Sequence, residues 1–356
     1  MKISSEKIQS ARKFVLHSLY TTVVGEKLPT VRTLIKESSS SRAAVEFILD
    51  ELEKQNLIKR IPRSGIIRIA GHIKPTFELI ACHDGGYIQS DFPNFLSQVI
   101  NGLFKSAETK NYNLRLHSVS IDESAEHYCR IAALHDSCGF ILMQPNMSEI
   151  INLFKQTNKP VVAVFPEGRF PDCDRVVTAT STISMQMQYI LQKGHSRIHY
   201  LRESYHNHHS MTLMFRRLEY YRLMAENGLK IEKHWQSEYP PDCILEALEK
   251  TFSTEPIPTA LIVWDKDAEI VYDFLKSKNL VIGRDVSVIA TDGDLTLANL
   301  DPPVTTVFSH CEHAVQNIWD LIEKQLNGDF TPQKIEVMLT IREGLSVGMA
   351  SPDNTN

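Results

Sequence analysis

The chain has 356 residues, 42% of them hydrophobic and 23% charged, which is ordinary for folded domains and long enough for two or three of them. No run approaches the roughly 20 apolar residues of a membrane span, and the opening MKISSEKIQSARKF lacks the apolar core of a secretory signal. The six scattered cysteines form no C-x-x-C pair and no Cys/His ligand spacing, so reduced thiols in a soluble, cytoplasmic protein are expected.

The net charge of −5 conceals an asymmetry. Residues 1–70 hold 13 Lys and Arg against 7 Asp and Glu, and the remainder holds 25 against 36. A basic end on an acidic body suits polyanion binding at that end alone.

In chain order, Ile8, Ala11, Val15, Leu16 and Leu19 predict a first helix over 3–23. Pro29 and Thr30 open a second, with sparse apolar positions at Val31, Leu34 and Ile35. The run Ser38 to Ser41 breaks it and supplies a cap for a third, whose apolar residues Ala44, Val45, Ile48, Leu49 and Leu52 follow helical spacing. Arg42, Ala43 and Glu46 fall on its other face. From Ile58 to Ile69 apolar and basic residues alternate about a Pro-Arg-Ser-Gly turn, as in a two-stranded hairpin. A short helix behind a turn, with a basic hairpin beside it, suits insertion of that helix into a DNA major groove.

These residues resemble the winged helix-turn-helix of GntR-type transcription regulators. The resemblance rests on LPTVR, on SR before an apolar-spaced helix, on LDELEKQNLIKR and on the glycine of the hairpin turn. It implies that Arg32 and Arg42 meet phosphates or base edges, that Ser41 caps the recognition helix, and that Gly65 sits at the wing tip. The candidate DNA-binding set is Thr30, Arg32, Ser41, Arg42, Arg60, Arg63 and Gly65. Two departures stand out: Ser38, Ser39 and Ser40 replace the usual apolar-Gly-apolar turn, and Glu46 replaces a residue that is often basic.

Residues 71–76 read as a linker. Beyond it, apolar runs at 77–82, 114–119, 139–143, 160–165, 176–179, 197–201, 259–264 and 286–291 alternate with helical patterns near 93–110, 122–135, 148–157, 181–193, 212–227, 242–252 and 267–278. Such alternation predicts parallel sheets covered on both faces, and this many strands divide better into two lobes than into one sheet. The segments 305–308 and 335–342 are expected to return the chain between the lobes. The expected fold class is α/β: a winged helix-turn-helix domain at 1–70 and a two-lobed body at 77–347, with a tail at 348–356.

The body resembles the effector domain of the LacI/GalR family, itself similar to periplasmic sugar-binding proteins. The supporting motifs occur in order: DFPNF, GFILMQP, KPVVAVF, LQKGHSRIHYL, RRLEYYRLMAENGL, ALIVWDKD, DVSVIATDGD and DPPVTTV. A GntR-type headpiece on a LacI-type body resembles bacterial arabinose repressors. That combination implies a homodimeric, DNA-binding transcription regulator, with operator affinity set by a small sugar bound in the cleft between the lobes, at strand carboxyl ends.

The candidate effector-binding residues are Asp91, Phe95, Phe165, Arg216, Trp264, Asp265 and Asp292, with Arg217 interchangeable with Arg216 and Glu167 as a further position. Carboxylates accept from paired hydroxyls, arginine donates in a fork, and an aromatic face covers a sugar's C–H patch. Each of these residues also has an ordinary structural role open to it, as cap, core or ion pair. After the strand at 176–179 the chain reads Thr-Ser where the family usually has Asp-Asn, so no contact carries over there. His206, His208 and His209 lack metal-ligand spacing, and no nucleophile-base pair or phosphate loop appears. No cofactor, no metal and no enzymatic activity are therefore expected. A sugar-processing enzyme with an attached headpiece, an activator and a ligand-independent regulator are the alternatives.

Overall fold

The computed structural model describes residues 5–69, 74–83, 95–120, 123, 125–134, 137–168, 170–178, 181–203, 211–235, 237–240, 242–291 and 295–351. Three helices open the chain: α1 (Ser5–Thr21), α2 (Val31–Ser38) and α3 (Arg42–Lys54). The antiparallel hairpin of β1 (Ile58–Ile61) and β2 (Gly65–Arg68) follows, with Ile61 opposite Gly65. Ala11, Val15 and Leu19 of α1 bury against Leu34 of α2 and Val45, Ile48, Leu49 and Leu52 of α3, and Ile58 and Ile66 of the hairpin close this core. Each of the valine, leucine and isoleucine side chains contributes roughly 1.5–3 kcal/mol when fully buried.

The serine run has a physical account. Ser39 takes the left-handed conformation (φ 51°) that ends α2, the place where glycine is usual. Ser38 and Ser40 are buried, and their hydroxyls donate to the backbone carbonyls of Leu34 (2.6 Å) and Lys7. Hydrogen bonds thus satisfy polar groups at positions where apolar residues would simply be buried.

The chain divides into two compact units. The first takes its residues from 1–90, 100–177 and 315–335 and includes the three-helix region. Its sheet has the order β14-β7-β6-β5-β3-β4, formed by β3 (Thr76–His83), β4 (Asn113–Ser120), β5 (Ser137–Met143), β6 (Val161–Val164), β7 (Asp174–Val177) and β14 (Lys334–Glu336). Strands β3 to β7 run parallel. Helices α5 (Ala125–Ala132) and α6 (Ser148–Lys155) bury Tyr128, Ile131, Ile151 and Phe154 against one face. On the other, α11 (Cys311–Leu326) sets Trp319 edge-on to Phe77, 5.4 Å between ring centroids. It passes so close to α4 (Phe95–Thr109) that a Cβ on Gly102 would stand 2.8 Å from Val315 Cγ2. Helix α11 lies between the predicted segments 305–308 and 335–342, a stretch with no predicted helix.

The second unit takes 91–99, 178–314 and 336–356. Its sheet has the order β15-β13-β12-β11-β8, formed by β8 (Ile198–Tyr200), β11 (Ala260–Trp264), β12 (Ser287–Thr291), β13 (Thr305–Ser309) and β15 (Leu339–Arg342). All run parallel except β15, which is antiparallel to β13. A small parallel pair, β9 (Arg202–Glu203) and β10 (Glu238–Tyr239), lies apart from it. Helices α9 (Ile244–Phe252) and α10 (Ala268–Ser277) cover one face, and α7 (Thr182–Gln192) and α8 (Met211–Glu226) the other. The predicted segment 335–342 therefore resolves into two strands, one in each sheet. The residues expected as a tail are bonded in as far as Ala350, whose N–H donates to Lys193 O at 2.8 Å.

Candidate functional site

In the N-terminal region α2 and α3 both start on a side-chain cap, of which the one at Ser41 was expected. Thr30 Oγ1 accepts from Thr33 N (3.2 Å) at the start of α2, and Ser41 Oγ accepts from Ala44 N (3.2 Å) at the start of α3. Substituting such a cap by alanine typically removes about 1 kcal/mol. Arg32 and Arg42 are exposed, and Arg42 Nε lies 3.6 Å from Glu46 Oε1 one turn along.

At the hairpin tip, exposed Arg63 adopts a left-handed φ of 62°, and Gly65 a φ of 108°, which favours a residue without a Cβ. Arg60 is engaged instead with α3: its guanidinium reaches Glu46 (3.1 Å), Asp50 (2.5 Å) and Glu53 (2.7 Å). The backbone N–H of Arg60 also donates to Glu53 Oε1 at 2.8 Å. That backbone bond and the guanidinium hold the Glu53 carboxyl below the usual carboxylate range.

In the second unit, Trp264 and Asp265 stand at the carboxyl end of the sheet. Trp264 and Thr291 are direct partners where β11 and β12 end. Trp264 is half-buried with Lys266 Nζ 5.3 Å from its ring centre, and Asp265 Oδ1 accepts from Lys266 N at 2.8 Å. Next to them Asp267 is buried and accepts from Tyr239 OH, and burial pushes its carboxyl upward.

Arg216 of α8 is buried, with Nη2 3.5 Å from Thr182 Oγ1 at the start of α7. One turn along α7, Gln186 is fully buried and donates from Nε2 to Ala290 O and Thr291 Oγ1, both at 3.0 Å. Arg216 thus reaches the start of α7, and Gln186 of the same helix reaches Thr291, the strand partner of Trp264. Arg217 points elsewhere, to an ion pair with Glu238, which separates the roles of the two arginines.

In the first unit, Phe165 follows β6 with a φ of 49°, and Gln144 follows the neighbouring β5 with a φ of 52°. Left-handed backbone in a bulky residue is uncommon and gathers at functional positions. Phe165 N donates to Val176 O at 2.8 Å, and Glu167 N donates to Pro145 O at 3.0 Å. Phe95, which belongs to the second unit, begins α4 and is half-buried. Asp91, Asp292 and the histidines at 206, 208 and 209 lie outside the described residues.

Sequence reasoning did not single out Gln144, Thr182, Gln186 or Thr291. For Gln186 a signal existed: it shares the helical face of Ile183, Met187 and Ile190, an apolar face on which a polar residue stands out. Among the described residues no group of three or more His, Cys, Asp and Glu is placed to hold a metal ion, and no helix is long and apolar enough to cross a membrane.

Residues 187–347 match the family model of a periplasmic binding protein-like domain. Solved structures extend the likeness over most of the chain. A transcriptional regulator from Yersinia pestis biovar Microtus is 19% identical with a TM-score of 0.66, over 78% of this chain and 99% of that one. A LacI transcriptional regulator from Bacillus cereus subsp. cytotoxis is 18% identical with a TM-score of 0.65, over 78% and 100%. The transcriptional regulator CelR in complex with cellobiose is 15% identical with a TM-score of 0.63, over 89% and 99%. At these identities the likeness establishes the fold. A sequence comparison with curated proteins finds no match.

Proposed function

We propose that the chain is a sequence-specific DNA-binding transcription regulator, acting in the cytoplasm as a repressor, whose hold on its operator is set by a small sugar-like effector. On this reading residues 1–70 are a GntR-type winged helix-turn-helix, 71–76 a linker and 77–347 a LacI-type effector body. The observation that carries it is one chain joining a side-chain-capped helix with an adjoining basic hairpin to a periplasmic binding protein-like body.

Helix α3 presents Ser41 and Arg42 at its N-terminus, the end that recognition helices direct at base edges. Arg32 and Arg63 supply phosphate contacts, and Arg60 acts by positioning the hairpin on α3. The body recognises the effector through Arg216, Trp264 and Asp265, joined by Phe95, Phe165, Asp91 and Asp292. A buried arginine and an aromatic face suit a polyol, and the cellobiose bound by CelR agrees in chemical class. A homodimer places two headpieces on two half-sites; α4, with Phe104 exposed on it, is the proposed dimer contact.

The test has two arms. Full-length protein is used to select binding sites from a random duplex DNA pool, and its thermal unfolding is followed with a panel of pentoses, hexoses, disaccharides and phosphorylated sugars. Enrichment of a pseudo-palindrome together with a sugar-dependent rise in Tm supports the reading. Selection without any sugar response favours a ligand-independent regulator, and turnover of a panel sugar favours an enzyme.

A further inference from the structure

The outer face of α3 carries a side chain that the headpiece reading has not used. We infer that Phe47, together with Ala43 one turn before it, reads thymine methyl groups in the DNA major groove; the inference rests on the proposed DNA-binding role of α3. The apolar residues of this helix that build the core, Ala44, Val45, Ile48, Leu49 and Leu52, are all buried. Phe47 and Ala43 are the exceptions: Phe47 is 43% exposed, one turn along the same face from exposed Ala43.

The neighbouring charges define what this strip meets. Glu46, Asp50 and Glu53 would repel a phosphate backbone, but all three carboxylates are drawn to Arg60 on the hairpin side. What remains toward the helix N-terminus is an apolar pair beside Arg42, whose side chain is 80% exposed. Helical side chains lean toward the N-terminus, so the Phe47 ring extends over the turn that holds Ala43, where the small residue leaves room beside it. The pair has no donor or acceptor and cannot read a base edge by hydrogen bonding. The apolar feature that base pairs show in the major groove is the C5-methyl of thymine. The positive excess of residues 1–70 brings that groove to the strip.

The experiment starts from sites enriched out of a random duplex pool by the full-length protein at fixed salt. Each thymine of the best site is then replaced singly by deoxyuridine, which removes only the methyl group. At one thymine in each half-site the wild-type protein should lose roughly fourfold in affinity, the amount expected for one buried methyl group. Phe47→Ala should bind the thymine and deoxyuridine sites equally while keeping the wild-type Tm, because the ring lies outside the core. Equal binding of every deoxyuridine site by the wild type, or full discrimination retained by Phe47→Ala, overturns the inference. If the wild type enriches no site at all, the headpiece reading itself fails.

Discussion

The backbone N–H and the Nε of Arg60 both donate to the carboxylate of Glu53, at 2.8 and 2.7 Å, and so fasten the first strand of the hairpin to the last turn of α3. Extension of the same guanidinium to Glu46 and Asp50 makes one residue responsible for both the hairpin's angle and the local charge. Arg60→Ala should lower unfolding stability by about 1 kcal/mol, as a partly exposed network permits, and should weaken DNA binding several-fold. Urea denaturation and a DNA titration check the two effects. The Glu53 part of this stability is present above the ordinary carboxylate range and fades as the pH falls through the lower folded value.

At the carboxyl end of the second sheet, Gln186 spans from α7 to Ala290 and Thr291. Arg216→Ala should abolish the Tm rise given by whichever panel sugar stabilises the wild type, with DNA affinity in the absence of sugar unchanged. Gln186→Leu keeps the volume but frees Thr291, and should weaken the same sugar about tenfold without abolishing its binding. An undiminished sugar response in Arg216→Ala would remove that residue from the site.

How far the chain could be read without its structure depends on whether the signal was local. The cap at Ser41 and the alternation from Ile58 to Ile69 are local patterns, and both emerge as expected. Trp264 was recognisable as a candidate because its motif sits beside a strand end, whereas Arg216, expected to open a helix, lies inside α8. The Arg60 cluster was not legible, because it joins residues 7 to 14 positions apart on different elements. The distribution of 335–342 over two sheets depends on long-range pairing, which an apolar run does not encode. Helix α11 carries ordinary helical spacing at Ala314, Val315, Ile318, Trp319 and Ile322 between β13 and β14, so it was legible in the sequence although not predicted.

Glu78 on β3 tests the first sheet. It is fully buried and accepts from Arg115 Nε (3.1 Å), from His117 Nε2 (2.7 Å) and from Ser137 Oγ. Burial alone would raise its carboxyl, but the bonds from Arg115, Ser137 and His117 outweigh burial and hold it below the usual range. Glu78→Ala should cost about 3 kcal/mol, since it strands the groups that had paired with it. Denaturant unfolding with coincident fluorescence and circular dichroism measures the loss. In the wild type this contribution should fade as the pH falls through the lowered value of Glu78.

His195 makes a separate prediction for pH. The ring is buried and bonded to Thr259 Oγ1 (3.1 Å), Ser287 Oγ (3.0 Å) and Gly348 O (3.2 Å), and burial pushes its pKa below the ordinary 6.5. The unfolded chain therefore takes up a proton that the folded ring refuses. Its contribution is full above about pH 6.5 and declines as the pH falls below that value. Comparison of wild type and His195→Gln by denaturation at pH 7.5 and pH 5.5, buffer values about one unit either side of the ordinary histidine range, should show a smaller pH effect in the variant.

The central claim is that one chain couples an operator to a sugar. Its most direct measurement is the affinity of the full-length protein for its selected DNA site, by fluorescence anisotropy, with and without the sugar that raises its Tm. The account predicts a change of roughly 5- to 150-fold, the usual range of coupling between two sites. A sugar that binds and stabilises the protein yet leaves its DNA affinity unchanged would contradict it.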